Sequence, residues 1–187
     1  MIALPPTRLV AIVLVCLGFS LLSAPSRLLA EPLVLSSAAF AKAGLTLSPL
    51  RTSGSSRAPP HFAWSWGARL GLESGAWSFL AFAGGGGLFI DEGPPPLAMR
   101  GGLEVRLCMG DGKVRGSGSI GVSLVFFEER QGFRAWPAPL LALGALFDLT
   151  EWLRLETTID GEGWIPLPPL EAPLFIFGLR NALEVLY

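Results

Sequence analysis

Cysteine, histidine and tyrosine are scarce in this chain, with 2 Cys, 1 His and 1 Tyr in 187 residues. Cys16 lies in an apolar N-terminal run, which leaves Cys108 alone downstream, so no intrachain disulfide framework can staple the fold. Cys108 sits in an apolar pattern with no neighbouring His and reads as a small buried side chain rather than a nucleophile. A single histidine, His61, excludes a multi-histidine metal centre, and neither metal nor cofactor is expected. Charged residues are also few, at 16% with a net charge of −1. No basic stripe is visible, which argues against nucleic acid as a partner. Beyond the N-terminus there is no apolar run near the roughly 20 residues that a membrane-spanning helix needs. Yet 51% of the chain is apolar and its mean hydropathy is +0.53. Such hydrophobicity has to be dispersed in some other pattern.

The N-terminus carries an address. Arg8 precedes an apolar stretch over residues 9–22, and Ser23, Ala24 and Pro25 follow, in the order of a secretory signal. Residues 1–30 are expected to be a cleaved signal peptide, with Ala30 or Ala24 as its last residue. Pro25 disfavours the second site. A retained anchor is the alternative, although the apolar run is short for a span. Residues 31–187 then form one domain.

Within that domain the pattern has a period of two. Over residues 61–73, Phe62, Trp64, Trp66, Ala68, Leu70 and Leu72 fall on one side, with Ser65, Arg69 and Glu73 on the other. A helix would mix these sets, whereas a strand with one face in lipid and one in a lumen separates them. Residues 97–109 repeat it, setting Arg100, Glu104 and Arg106 against Leu103, Val105 and Leu107. In residues 114–126, Arg115, Ser117 and Ser119 oppose Ile120, Val122 and Leu124. The last segment, 174–187, sets Arg180 and Glu184 against Phe175, Leu179, Leu183 and Tyr187, with Asn181 as a polar intruder on the apolar side.

Weaker alternation covers residues 33–47, which contain Lys42, and 153–160, which contain Arg154, Glu156 and Asp160. Residues 76–89 and 139–149 are apolar on both sides, and a buried helix over 139–149 stays open as an alternative.

Counted in order, these are eight segments, an even number as an antiparallel barrel requires. The second, fourth and sixth connections are tight (Ser74-Gly75, Gly110-Asp111-Gly112, Thr150-Glu151), and Asp-Gly is a hairpin signal. The first, third, fifth and seventh, near residues 51–60, 92–96, 129–135 and 165–172, are longer. Aromatic side chains fall near strand ends: Trp77, Trp152 and Tyr187 at the tight-turn end, and Trp64, Trp136 and Trp164 at the other. That is where an aromatic girdle would meet the two membrane interfaces. A soluble β-sandwich is the rival fold, but it would expose polar rather than apolar residues on its outer faces.

The whole of residues 31–187 resembles the small eight-stranded outer-membrane barrels, the class that includes the OmpA transmembrane domain, OmpX and OmpW. The terminal Leu183, Val185 and Tyr187 are similar to the aromatic-ended signature of that class. The resemblance implies an up-and-down transmembrane barrel in a bacterial outer membrane, contact with lipid, and delivery by the barrel assembly machinery through the C-terminal strand. The expected state is a monomer.

The inward set of Lys42, Arg69, Glu73, Arg100, Glu104, Arg106, Arg115, Arg154, Glu156, Asp160, Arg180 and Glu184, joined by Asp148, carries both signs. Inside so narrow a barrel these charges must pair, so a salt-bridge plug is expected rather than a diffusion pore. Gly116 to Gly121 matches GxGxxG but continues into strand rather than helix, and Gly110 to Lys113 lacks the spacing of a P-loop. His61 is placed where some lipid A-modifying barrels carry a catalytic histidine. Ala63, however, stands where that resemblance would require a serine. The expectation is a non-enzymatic structural or interaction role in the envelope. Passage of small apolar molecules, which resemblance to OmpW would permit, is the alternative, and lipid A chemistry at His61 stands behind it.

Overall fold

The computed structural model describes residues 32–47, 62–88, 97–129, 132–165 and 174–187. Residues 1–30, expected from the sequence to be a signal peptide, and His61 lie outside them. Eight antiparallel strands, β1 (Val34–Leu47), β2 (Phe62–Ser74), β3 (Trp77–Leu88), β4 (Leu97–Met109), β5 (Val114–Glu129), β6 (Gly132–Asp148), β7 (Leu153–Trp164) and β8 (Leu174–Leu186), follow one another round a closed barrel. Pairing of β1 with β8 as well as β2 removes the sheet edges. The strands are 12 to 17 residues long, more than the roughly 9–11 that a tilted strand needs to cross a bilayer.

One end of the barrel is closed by tight turns, as the sequence suggests. At Gly75 φ is +58° and, among the described residues, no non-glycine has positive φ, so the β2–β3 connection has its left-handed residue at the first central position alone, as a type II′ hairpin does. Gly110 takes φ +101° between β4 and β5.

The strand expected from residue 139 is present and the helical alternative is excluded, but its bounds change: β6 ends at Asp148 and extends back to Gly132, while β5 runs on to Glu129, paired Glu129↔Gly132. The long fifth connection expected over 129–135 is therefore mostly hairpin. β6 outruns β7, whose ladder with it begins at Leu140↔Glu162. Pro137 accepts from the Ile165 N–H through its carbonyl, so its nitrogen also faces the β7 side, as does that of Pro139 two residues on. With no N–H, neither leaves a ladder donor unpaired where the partner strand runs out.

The glycine run in β3 answers to the wall. A Cβ at Gly84 would lie 2.0 Å from the Trp66 carbonyl oxygen and 2.7 Å from Gly67 Cα, and one at Gly86 would lie 2.5 Å from the Trp64 carbonyl oxygen. There β2 and β3 close up so tightly that no side chain fits.

Alternation gives the barrel two unlike surfaces. Outside, large apolar side chains stand exposed on every flank, Leu70 at 63%, Met99 at 69%, Ile120 at 65%, Leu143 at 62% and Ile159 at 69% among them. Inside, the buried residues include twelve charged side chains. The exterior thus belongs in hydrocarbon, because water would leave this whole apolar band uncompensated.

Candidate functional site: a paired charge network inside the barrel

Every strand places alternate residues in the lumen, and seven basic side chains (Lys42, Arg69, Arg100, Arg106, Arg115, Arg154, Arg180) meet seven acidic ones (Glu73, Glu104, Asp148, Glu156, Asp160, Glu162, Glu184) there. Among the described residues the lumenal charges balance.

The network rises in tiers from the tight-turn end. Asp148 accepts from Arg115 at 3.0 Å and from Arg154 Nε at 2.8 Å. Arg154 Nη1 also donates to Glu73 at 2.9 Å and to Glu184 at 3.0 Å. Arg106, wholly buried, donates through Nη2 to Glu73 at 2.6 Å and Glu184 at 3.2 Å, and through Nη1 to Glu156 at 3.3 Å. Ser78 Oγ takes its Nε proton at 3.3 Å.

In the middle, Arg69 pairs with Glu156 and with Glu184, and Arg180 grips Glu104 with two parallel bonds of 2.9 Å. In the upper tier Lys42 lies 2.7 Å from Asp160, and Glu162 accepts from Arg100 at 2.7 Å and Ser123 Oγ at 3.1 Å. The Arg100 guanidinium also sits 5.4 Å from the centroid of Phe40 and 5.6 Å from that of Phe82, a cation–π arrangement. These two rings meet edge to face at 6.3 Å inside a second apolar cluster with Leu140.

Glu162 has no place in the sequence-derived set, because the alternation there stops at Asp160. β7 continues to Trp164, and the same parity brings Glu162 into the lumen as the seventh acid. Two of the aromatic assignments also change. Trp164 is 5% exposed and packs inside the barrel with Ala63, Ala98, Val125, Ala138 and Ile176, while Trp136 packs against that cluster. Both share parity with lumenal residues of their own strands, so they cap the charge network rather than join a girdle. Trp77 and Trp152 at the turn end, with Tyr187 beside them, stand exposed outside, and Trp64 is half-buried on the outer face.

Pairing offsets the large cost of removing ions from water without making the network a large source of stability. Its stronger effect is on register. A slip of one residue in β7 would turn Arg154, Glu156, Asp160 and Glu162 outward, and a charge on the lipid face of a barrel costs up to about 2–4 kcal/mol at the bilayer midplane.

Fold and interior together define a class: a closed eight-stranded barrel, apolar outside, filled with paired charges inside. No known family profile and no curated protein matches the chain by sequence. Among solved structures, it is similar to Neisserial surface protein A (TM-score 0.63, 11% identity, covering 83% of this chain and 99% of that one). It is also similar to the N-terminal β-barrel domain of Pseudomonas aeruginosa OprF (TM-score 0.51, 15% identity, covering 81% and 96%). At these identities the likeness establishes a shared fold, that of the small outer-membrane barrels.

Proposed function

We propose that the protein is an integral barrel of a bacterial outer membrane with a structural or interaction role in the envelope, its lumen closed by its own side chains. The seven bases and seven acids paired among the described lumenal residues, capped by Trp164 and its apolar neighbours, carry this reading. Beside Arg100 and Glu162, at the edge of the cap, lies a cavity of about 20 Å³, room for about one water. Such a space does not favour passage of apolar molecules through the lumen. The exposed apolar exterior supports residence in lipid, and the outward Leu183 and Val185 of the last strand, with Tyr187 just past its end, support handling by the barrel assembly machinery. Residues 1–30 serve as the export signal in this reading.

The test is reconstitution into planar bilayers, after outer-membrane fractionation and heat-modifiable gel migration have established a folded barrel. The expected record shows no channel steps. Steady ohmic conductance of the size given by a continuous aqueous pore would overturn the closed lumen.

A further inference from the structure

On the outer wall, halfway along β7 and β8, the apolar band is interrupted. Thr157 and Asn181 stand opposite each other in the ladder, and the Thr157 hydroxyl donates to Asn181 Oδ1 at 2.9 Å on the exposed face. The next outward residues on both sides are apolar pairs, Leu155↔Leu183 and Ile159↔Leu179, which places the polar pair within the hydrocarbon rather than at an interface. The carboxamide's two N–H donors have no partner among the described residues, and hydrocarbon offers none. The adjoining strand is low: Asn181 pairs with Ala41 of β1, and the outward Ala39 and Ala43 on either side of it are exposed alanines too, a strip continued by Ala68 next to Ala39 and bounded on β2 by the exposed Trp66 opposite Ala41.

We infer that this β7–β8–β1 face is an interface with a second copy of the chain, formed around Asn181 in the membrane. The inference rests on the membrane reading above and departs from the monomer expected from sequence. Small residues let two walls approach closely, and polar side chains then hydrogen-bond across the contact. A carboxamide carries both donors and an acceptor, so across a two-fold axis each Asn181 offers what the other lacks. Acyl chains would satisfy neither group.

The test uses full-length protein in a Cys16→Ala, Cys108→Ala background, labelled at Lys113→Cys in the exposed β4–β5 turn and refolded into phosphatidylcholine vesicles. Energy transfer between donor- and acceptor-labelled copies is followed against the protein-to-lipid ratio. The parent protein is expected to transfer energy. Asn181→Leu should weaken association about tenfold or more, as loss of two membrane hydrogen bonds implies, and Ala41→Trp should abolish it sterically. Leu143→Ala, on β6 away from that face, should leave it unchanged. Each variant must float with the vesicles and migrate as a folded barrel. A chain that floats and folds but shows no transfer, or an Asn181→Leu variant that associates as the parent does, overturns the interface. A chain that fails to float instead defeats the membrane reading itself.

Discussion

Removing Arg180 should be costlier than removing Glu104, although the two make one contact. Glu104 on β4 has a side chain with no exposure, and its only ion-pair partner among the described residues is Arg180, which reaches across from β8 with two bonds of 2.9 Å. Arg180→Met therefore strands a carboxylate in the dry interior, a loss of about 3–5 kcal/mol. Glu104→Leu leaves Arg180 with Asp160 at 3.8 Å and Glu156 at 4.0 Å, so its cost is nearer that of a lost charged hydrogen bond, about 2–3 kcal/mol. The double variant replaces an ion pair with apolar volume and should fall close to the parent. Reversible urea unfolding in lipid vesicles, followed by tryptophan fluorescence and by the gel shift of the folded barrel, measures all four proteins. A cost of 3–5 kcal/mol moves the midpoint by at least about 1 M urea, and the cycle should give a coupling of at least about 2 kcal/mol. An Arg180→Met midpoint equal to the parent's, or strictly additive single effects, would refute the pairing.

Three other perturbations address the wall, the cap and the exterior. Gly84→Ala forces a methyl onto the β2 backbone and should prevent formation of the heat-modifiable band, whereas Gly118→Ala, whose new Cβ would meet only Leu143 Cδ2 at 3.4 Å, should refold normally. Trp164→Ala empties the apolar cap and should cost about 3–5 kcal/mol in the same urea titration; a lipid-facing girdle residue would lose far less. Ile120→Arg, on the exterior, should destabilise the vesicle-embedded barrel by as much as about 2–4 kcal/mol, an effect absent if that face met water.

The strands most legible in the sequence were those whose two faces differ chemically. In β2, β4 and β5 the lumenal Arg69, Arg100, Glu104, Arg106 and Arg115 alternate with apolar residues, so parity alone separates inside from outside. β6 offers no such contrast, because its lumenal Ala138, Leu140, Ala142 and Leu146 are as apolar as its lipid-facing Leu141 and Leu143. Apart from Asp148 at its end, the described lumenal side of β6 supplies packing volume rather than charge. The extent of β6 was hidden by Pro137, which reads as loop in isolation but fits a strand at the point where its neighbour ends. Glu162, Trp136 and Trp164 were misread for a related cause. Each lies at or beyond an end assigned too early, and there amphipathic aromatics are compatible with both a membrane interface and a capped interior. The pairing itself, Arg180 with Glu104 or Lys42 with Asp160, joins strands across the barrel and follows from closure and tilt, which local pattern does not encode.

Spin labels placed singly on β6, at Leu140, Leu141, Ala142 and Leu143 in a cysteine-free chain, would probe the two-faced wall where sequence pattern is silent. In bilayers, the labels at 141 and 143 should collide freely with dissolved oxygen while remaining shielded from a water-soluble nickel chelate, and those at 140 and 142 should be shielded from both. Equal accessibility along all four positions, or chelate contact at 141 and 143, would show that the apolar wall does not face lipid.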